Sequence, residues 1–337
     1  MTVLPLLFSL VLQQPAEAAR LAASGESYLE AGQNERAAEA FTQALKLNPK
    51  EFAALSGMGF LHFSQGRLAE ARTLLEQAVA VRPKSFQANF LLGATCVGLN
   101  DTARAIPRLE AAHAINPKHS DARKLLAAEY VRSRNFKRTV ALLSPAVDLT
   151  PFDEETHLLL INALQGAEDN EGSFHLAQKA AEKFPHSAQV AAWLGFQYQF
   201  SGRWEEAKKE LARSIQLDPG YGASYQMLAD VHLKEENFPE ALAWFQKAVG
   251  FMPDDAETLL GLSKALVETG DITQGIKVLQ KAAQADPKDA RVHLQLSRLY
   301  FQMGDEKRAQ EEAALSVKLR PPAPSLVQPP TALRRIQ

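Results

Sequence analysis

The sequence predicts an all-α protein, a right-handed α-solenoid of stacked antiparallel helix pairs. Three observations predict it. Prolines stand at Pro49, Pro83, Pro117, Pro151, Pro185, Pro219, Pro253, Pro287 and Pro321, always 34 residues apart. Two stretches with apolar residues at helical spacing lie between consecutive prolines. Small residues recur at fixed offsets, where helices must approach closely. One helical hairpin cannot bury its own apolar face, whereas a stack of them can, so nine copies in register imply a solenoid.

The bulk numbers agree with a folded repeat array and exclude little else. A chain of 337 residues would suggest about two globular domains, but internal repeats override that prior. Hydrophobic residues make up 46% and charged residues 23%, ordinary for a folded chain. The net charge of -2 lacks the basic excess of a nucleic-acid binder. A single cysteine, Cys96, rules out an intramolecular disulfide and leaves the compartment open.

Taken from the N-terminus, residues Val3 to Leu12 are uncharged and mostly apolar. As a helix they would span about 15 Å, half of a bilayer core. Ala16 and Ala18 then form a small-x-small pattern that suits a signal peptidase. The reading is a secretory signal over 1–18 with the mature chain starting near Ala19, which places the protein outside the cytoplasm, periplasmic or secreted. The segment carries no Lys or Arg before its apolar run, so a mis-assigned start or an apolar flap on the first repeat stays open, with a cytoplasmic location as the alternative.

The repeats run 18–51, 52–85, 86–119, 120–153, 154–187, 188–221, 222–255, 256–289 and 290–323. In repeat 2, Leu55, Met58, Gly59 and His62 share one face of a first helix, and Ala71, Leu75 and Ala78 share one face of a second. Gly66 separates them, and glycine recurs in that slot as Gly32, Gly202, Gly270 and Gly304. Glycine accepts the positive φ of a helix C-cap without a Cβ penalty. Asn48, Asn116, Asp218 and Asp286 precede their prolines and suit a turn. The Ala78 slot holds only Ala or Ser, and the Ala71 slot is small throughout, including Thr139, Ser173 and Gly275. The Gly59 slot is small in eight copies, with Ile161 the exception. Repeat 5, with Ile161, Leu164, Ser173 and the acidic turn Glu168–Glu171, reads as a local weak point. The polar second helix of repeat 9, Asp305 to Lys318, reads as its own cap and the array as complete. Residues 324–337 are rich in proline and read as a disordered tail.

At these residues the chain resembles the tetratricopeptide repeat family. The pattern Leu, small, Tyr, Ala, Phe, Ala, Pro is met in repeat 1 by Leu21, Gly25, Tyr28, Ala37, Phe41, Ala44 and Pro49. Repeat 7 meets it with Leu228, Ala229, Ala241, Phe245, Ala248 and Pro253, and places His232 in the tyrosine slot. The resemblance covers about residues 18–323. It implies a superhelix whose inner surface is lined by the first helix of each repeat, at about its second, fifth, ninth, twelfth and thirteenth positions.

Those positions supply the expected partner-binding residues: Phe60, Phe63, Phe90, Val97, Lys124, Arg132, Phe196, Phe200, Lys264, Arg291 and Arg298, with Glu257 and Glu268 nearby. Exposed aromatics anchor interfaces, so one reading is an apolar groove with basic spots for a peptide or helix of another protein. The other is that the phenylalanines only pack repeat on repeat. The Lys and Asn of the family's carboxylate clamp are absent, since repeats 1 to 3 carry Ala22, Glu26, Gly57, Gln87 and Leu91 there. The run Arg132, Arg134, Lys137, Arg138 reads as a solvated face or as a contact for an anionic membrane or an acidic partner.

No metalloprotease, serine-hydrolase or phosphate-loop motif occurs. The eight histidines scatter, and Cys96 fills a tyrosine slot as a core residue. Trp193, Trp204 and Trp244 read as packing residues. The expectation is therefore a non-catalytic interaction scaffold without metal or cofactor, partnered by other proteins and not by nucleic acid. The alternative is a recruiting subunit whose catalysis resides on another chain.

Overall fold

A computed structural model describes the backbone of residues 4–147 and 153–319, and the side chains of 14–145 and 153–319. Among these residues every regular element is a helix. The first helices of successive pairs are α1 (Leu4–Glu30), α3 (Phe52–Ser64), α5 (Phe86–Gly98), α7 (Ser120–Arg132), α9 (Glu154–Gly166), α11 (Ala188–Phe200), α13 (Gly222–Lys234), α15 (Ala256–Glu268) and α17 (Ala290–Gln302). The second helices are α2 (Asn34–Leu47), α4 (Leu68–Val81), α6 (Thr102–Ile115), α8 (Phe136–Val147), α10 (Asn170–Lys183), α12 (Trp204–Leu217), α14 (Phe238–Phe251), α16 (Ile272–Ala285) and α18 (Glu306–Leu319). The fold is thus all-α, an α-solenoid of stacked antiparallel helix pairs. It divides into two compact units, residues 1–176 and 177–337.

One turn chemistry closes the first helix in every copy. The slot of Gly66 has φ between 56° and 96° in all nine, with Asn100, Arg134, Glu168 and Glu236 where glycine is missing. The amide after it reaches back five residues, as from Arg67 N to His62 O at 2.9 Å. The amide of the slot itself bonds to the third residue back, as from Gly66 N to Phe63 O at 3.0 Å. This is the Schellman pattern, which satisfies two carbonyls that the helix end leaves open. The second helix ends in an Asx turn where the sequence allows it: Asn48 Oδ1 accepts from Lys50 N at 3.1 Å, and Asp218 Oδ1 from Gly220 N at 2.8 Å.

Small slots let the helices of a pair come together. A Cβ on Gly59 would stand 2.7 Å from the Leu75 side chain, and one on Gly93 equally close to Leu109. Ala44, Ala78, Ala112, Ala248 and Ala282 are fully buried, as expected of their shared slot. Where serine takes that slot its hydroxyl is satisfied: Ser214 Oγ donates to Ala188 O at 2.6 Å and Ser316 Oγ to Ala290 O at 2.9 Å. Repeat 5, the exception at the small slots, buries those positions all the same. Ile161 is fully buried, and so is Ala177, which stands in the slot that holds Leu75 in repeat 2. Ser173 Oγ donates to Ile161 O at 3.0 Å.

The backbone from Leu4 to Glu30 is one continuous helix, so α1 is twice the length of its counterparts; side chains of the apolar leader lie outside the described residues. The proline-rich segment 324–337 also lies outside them. The last pair does not cap itself on its forward face. Phe301 is 70% exposed and Val317 71%, whereas their counterparts Phe63, Val97, Val267, Val79 and Val249 are buried or half-buried in the described copies. Phe63, Val79 and Val97 belong to or pack against one core cluster and Val249 and Val267 against another, and among the described residues no pair comes after α18. Polarity elsewhere on α18 masked this in the sequence.

Candidate functional site

Within unit 2, the first helices α11, α13, α15 and α17 enclose a cleft of about 720 Å³. Its apolar lining comes from Leu233, Leu260, Val267, Leu294 and Leu299. Its polar lining comes from Gln199, Asp230, Lys234, Glu257, Lys264, Glu268, Arg291, Gln295 and Arg298. Numbered within the repeat, most of these are second, fifth, ninth, twelfth or thirteenth residues. The geometric reason is the helical period: positions separated by three or four share a face, and the opposite face is committed to the second helix.

The structure brings Lys264, Arg291 and Arg298 together in this cleft. They differ in state. Arg291 Nη1 bonds to Glu257 Oε2 at 2.5 Å and its Nη2 to Asp289 Oδ2 at 2.8 Å. Lys264 and Arg298 are exposed and, among the described residues, have no carboxylate within ion-pair distance. Asp230, a ninth-position residue like both of them, lines the cleft one repeat earlier. Burial, then the negative charge of Glu257, pushes its carboxyl up to about 7, against the opposing pull of Lys234 and Lys264 and a hydrogen bond from Gln226.

The remaining expected residues fall elsewhere. In unit 1, Phe63, Phe90 and Val97 pack half-buried against the core that contains Leu91, Leu92 and Tyr130. Phe90 also stacks on Phe86 at 5.7 Å and tilts against His119 at 5.2 Å. Phe60 is 40% exposed. Lys124 Nζ lies 3.2 Å from both Asp153 Oδ2 and Glu155 Oε2, which hold its ammonium above the ordinary range. Arg132 donates to Asn100 Oδ1 at 3.0 Å and lies 3.3 Å from Glu129. Its neighbour Arg138 donates to Glu110 Oε1 at 2.7 Å and covers the Tyr130 ring. In unit 2, Phe196 meets Trp193 edge-on at 5.7 Å, and Phe200 is 56% exposed.

Asp230, Lys234, Leu233, Leu260 and Leu294 were missed, although they occupy the inner positions. Reading every residue at those positions, aliphatic and acidic ones included, would have found them. Cys96 is buried, and burial pushes its thiol up. His62 and His232 are half-buried in tyrosine slots, and burial lowers the affinity of each ring for a proton. Among the described residues no group of three His, Cys, Asp or Glu side chains stands together as a metal-binding set. None of their helices is long and apolar enough to cross a membrane.

Comparison with known proteins places the fold. Bacteriophage adsorption protein A of Escherichia coli K12 is 27% identical over 171 residues, 51% of this chain and 17% of that protein. The Hsp70-Hsp90 organizing protein of Triticum aestivum is 23% identical over 35% of this chain and 20% of its own length. The chain therefore spans at most a fifth of these relatives. Among solved structures, the human IFIT1 dimer with m7Gppp-AAAA aligns with a TM-score of 0.59 at 18% identity, over 92% of this chain and 80% of that one. A tetratricopeptide repeat protein from Parabacteroides merdae aligns with a TM-score of 0.55 at 15% identity, over 74% and 99%. One tetratricopeptide repeat model matches residues 28–92, 97–163, 232–292 and 266–326, and a second matches 198–256. With the 34-residue period, the paired helices and these matches in agreement, the chain belongs to the tetratricopeptide repeat family.

Proposed function

We propose that this chain is a non-catalytic scaffold that holds a segment of another protein in the cleft of α11, α13, α15 and α17. Members of its family are in general protein-interaction scaffolds. The observation that carries the reading is the lining: an apolar floor from Leu233, Leu260, Val267 and Leu294 beside the exposed cations Lys264 and Arg298, which make no ion pair among the described residues. Such a surface offers apolar burial and directional contacts to an extended segment together. We place the protein outside the cytoplasm on the strength of the leader over 1–18.

The test is a photo-crosslinking residue placed at position 199 or 295, two uncharged residues of the cleft lining, in the native host, with positions 247 and 281 on α14 and α16 as controls. A partner captured from 199 and 295 and not from the controls supports the cleft. Capture from the controls alone refutes it. A captured partner with catalytic activity would favour a recruiting subunit over a purely structural scaffold. The N-terminal residue of the purified native protein, read by mass spectrometry, tests location: Met1 on the mature chain excludes cleavage of the leader.

A further inference from the structure

The fixed charges of the cleft are unevenly used. Arg291 is bound to Glu257 and Asp289. Lys234, Lys264 and Arg298 are exposed, stand on three successive first helices and have no ion-pair partner among the described residues. Asp230 and Glu268 line the same cleft, Asp230 with a hydrogen bond from Gln226 and within electrostatic reach of Lys234 and Lys264.

We propose that the cleft binds an acidic segment of the partner protein, seated on Lys234, Lys264 and Arg298, and that Asp230 makes the capture stronger on the acid side of neutrality. This rests on the cleft reading above and deepens it by naming the chemistry of the occupant. Packed helices stand about 8–10 Å apart, and an extended chain advances about 3.3 Å per residue. Carboxylates about three residues apart therefore meet cations on successive first helices, and residues between them can turn to Leu233, Leu260 and Leu294. Opposite charges across the cleft also steer the encounter.

Asp230 sets the sign of the pH response. It faces Lys234 and Gln226 on its own helix and Glu257 and Lys264 on α15, with Gln199 of α11 and Arg291 and Arg298 of α17 around the same cleft. Its carboxyl, pushed up to about 7, is mostly protonated at pH 6 and mostly ionised at pH 8. When it is protonated, three free cations confront Glu268 alone; when it is ionised, a second negative charge opposes an acidic ligand. An incoming carboxylate raises the proton affinity of Asp230 further, so binding takes up a proton and weakens as pH rises through 7.

The experiment uses the full chain and three labelled twelve-residue peptides, with glutamate, glutamine or lysine at every third position and leucine and alanine between. Fluorescence anisotropy at pH 6 and pH 8 reads the affinity, and a twelve-nucleotide single-stranded DNA serves as a second polyanion. The glutamate peptide should bind at least about tenfold tighter than the other two. Its affinity should fall by up to about tenfold per pH unit near neutrality. Asp230→Asn should hold at pH 8 the affinity that the parent shows at pH 6. The pair Lys264→Glu and Arg298→Glu, both exposed, should abolish the preference for glutamate without loss of helical circular dichroism. Preference for the lysine or glutamine peptide, or binding of none, overturns the acidic occupant, while the crosslinks at 199 and 295 independently decide the cleft itself. Tighter binding of the DNA overturns a protein as the source of the charge. A pH response that persists in Asp230→Asn overturns the role of Asp230.

Discussion

The nine copies place one residue each in left-handed backbone, and the energetics of that slot can be isolated. At Gly66 the φ is 74°, and a Cβ there would meet nothing within 4 Å. Gly66→Ala therefore changes the backbone energy without a clash. The left-handed region costs an L residue about 1–2 kcal/mol. The stiffer unfolded chain of alanine returns about 0.4–1 kcal/mol of this. Gly66→Ala should thus lose about 1 kcal/mol. At Glu236, with φ of 60°, the penalty is already present, and Glu236→Gly should gain about 0.5–1 kcal/mol after the entropy of glycine is subtracted. Gly250 supplies the control. It lies in α14 outside the left-handed region, and its Cβ would also meet nothing within 4 Å. There, the same Gly→Ala change should gain about 0.5–1 kcal/mol through helix propensity. Urea unfolding monitored by circular dichroism, with amide exchange at Asn237 as the local probe, measures all three. Loss at Gly250 together with no change at Gly66, or destabilisation by Glu236→Gly, would refute the claim that backbone handedness governs the slot.

Other outcomes test packing and charge by the same unfolding measurements. Phe63→Gln should cost about 2 kcal/mol and Phe301→Gln no more than about 0.5 kcal/mol, since only the first is covered by the next pair; equal losses would remove the forward-packing role of the slot. Ala78→Leu should cost about 1–3 kcal/mol by overpacking, while Glu76→Leu on the exposed face leaves the unfolding midpoint nearly unchanged; equal midpoints would refute the close approach. Because the Asp230 carboxyl is raised in the folded state, its contribution is complete below the unfolded value of about 4 and is lost as pH rises to about 7. Asp230→Asn should therefore be more stable than the parent at pH 8, by about 1–3 kcal/mol, and the gain should vanish near pH 4. Tyr130, whose phenol burial and Glu110 push up to about 12, should resist ionisation past pH 11 in an ultraviolet titration, and Glu110→Gln should bring it down.

The architecture was legible because the backbone repeats its demands. Proline, the left-handed slot and the small contact slots each have a local cause, and a 34-residue period displays that cause nine times. Four left-handed positions without glycine, Asn100, Arg134, Glu168 and Glu236, escaped because residue type alone does not report φ. At Ile161 a large side chain stands in a slot that is small in the other copies, and the slot pattern alone does not report that it is fully buried there. The cap at α18 misread for a related reason: Phe301 and Val317 are two side chains on an otherwise polar pair, and their cost depends on whether another pair covers them.

The groove was only half legible, and the reason is that packing and binding positions alternate along one helix. Phe60 is a ninth residue and is exposed, whereas Phe63, three residues on, is a twelfth residue and covers the core beside the next repeat. Aromatic character therefore does not separate a ligand contact from a joint between repeats; position does. Charge has the same property. Glu257 and Arg291 are both second residues, 34 apart, and neutralise each other at 2.5 Å across adjacent copies. Lys124 is neutralised similarly by Asp153 at the end of its own copy and by Glu155 at the start of the next. A cation on the inner face counts as a binding residue only when neighbouring copies leave it unmatched. Down the ninth position the chain runs Glu26, Phe60, Ala94, Ala128, Asn162, Phe196, Asp230, Lys264, Arg298. Packing does not constrain this position to one chemical class, so its composition is free to answer to a ligand. Its last three members line one cleft, two of them cations that no carboxylate pairs among the described residues, and that is where the ligand should be sought.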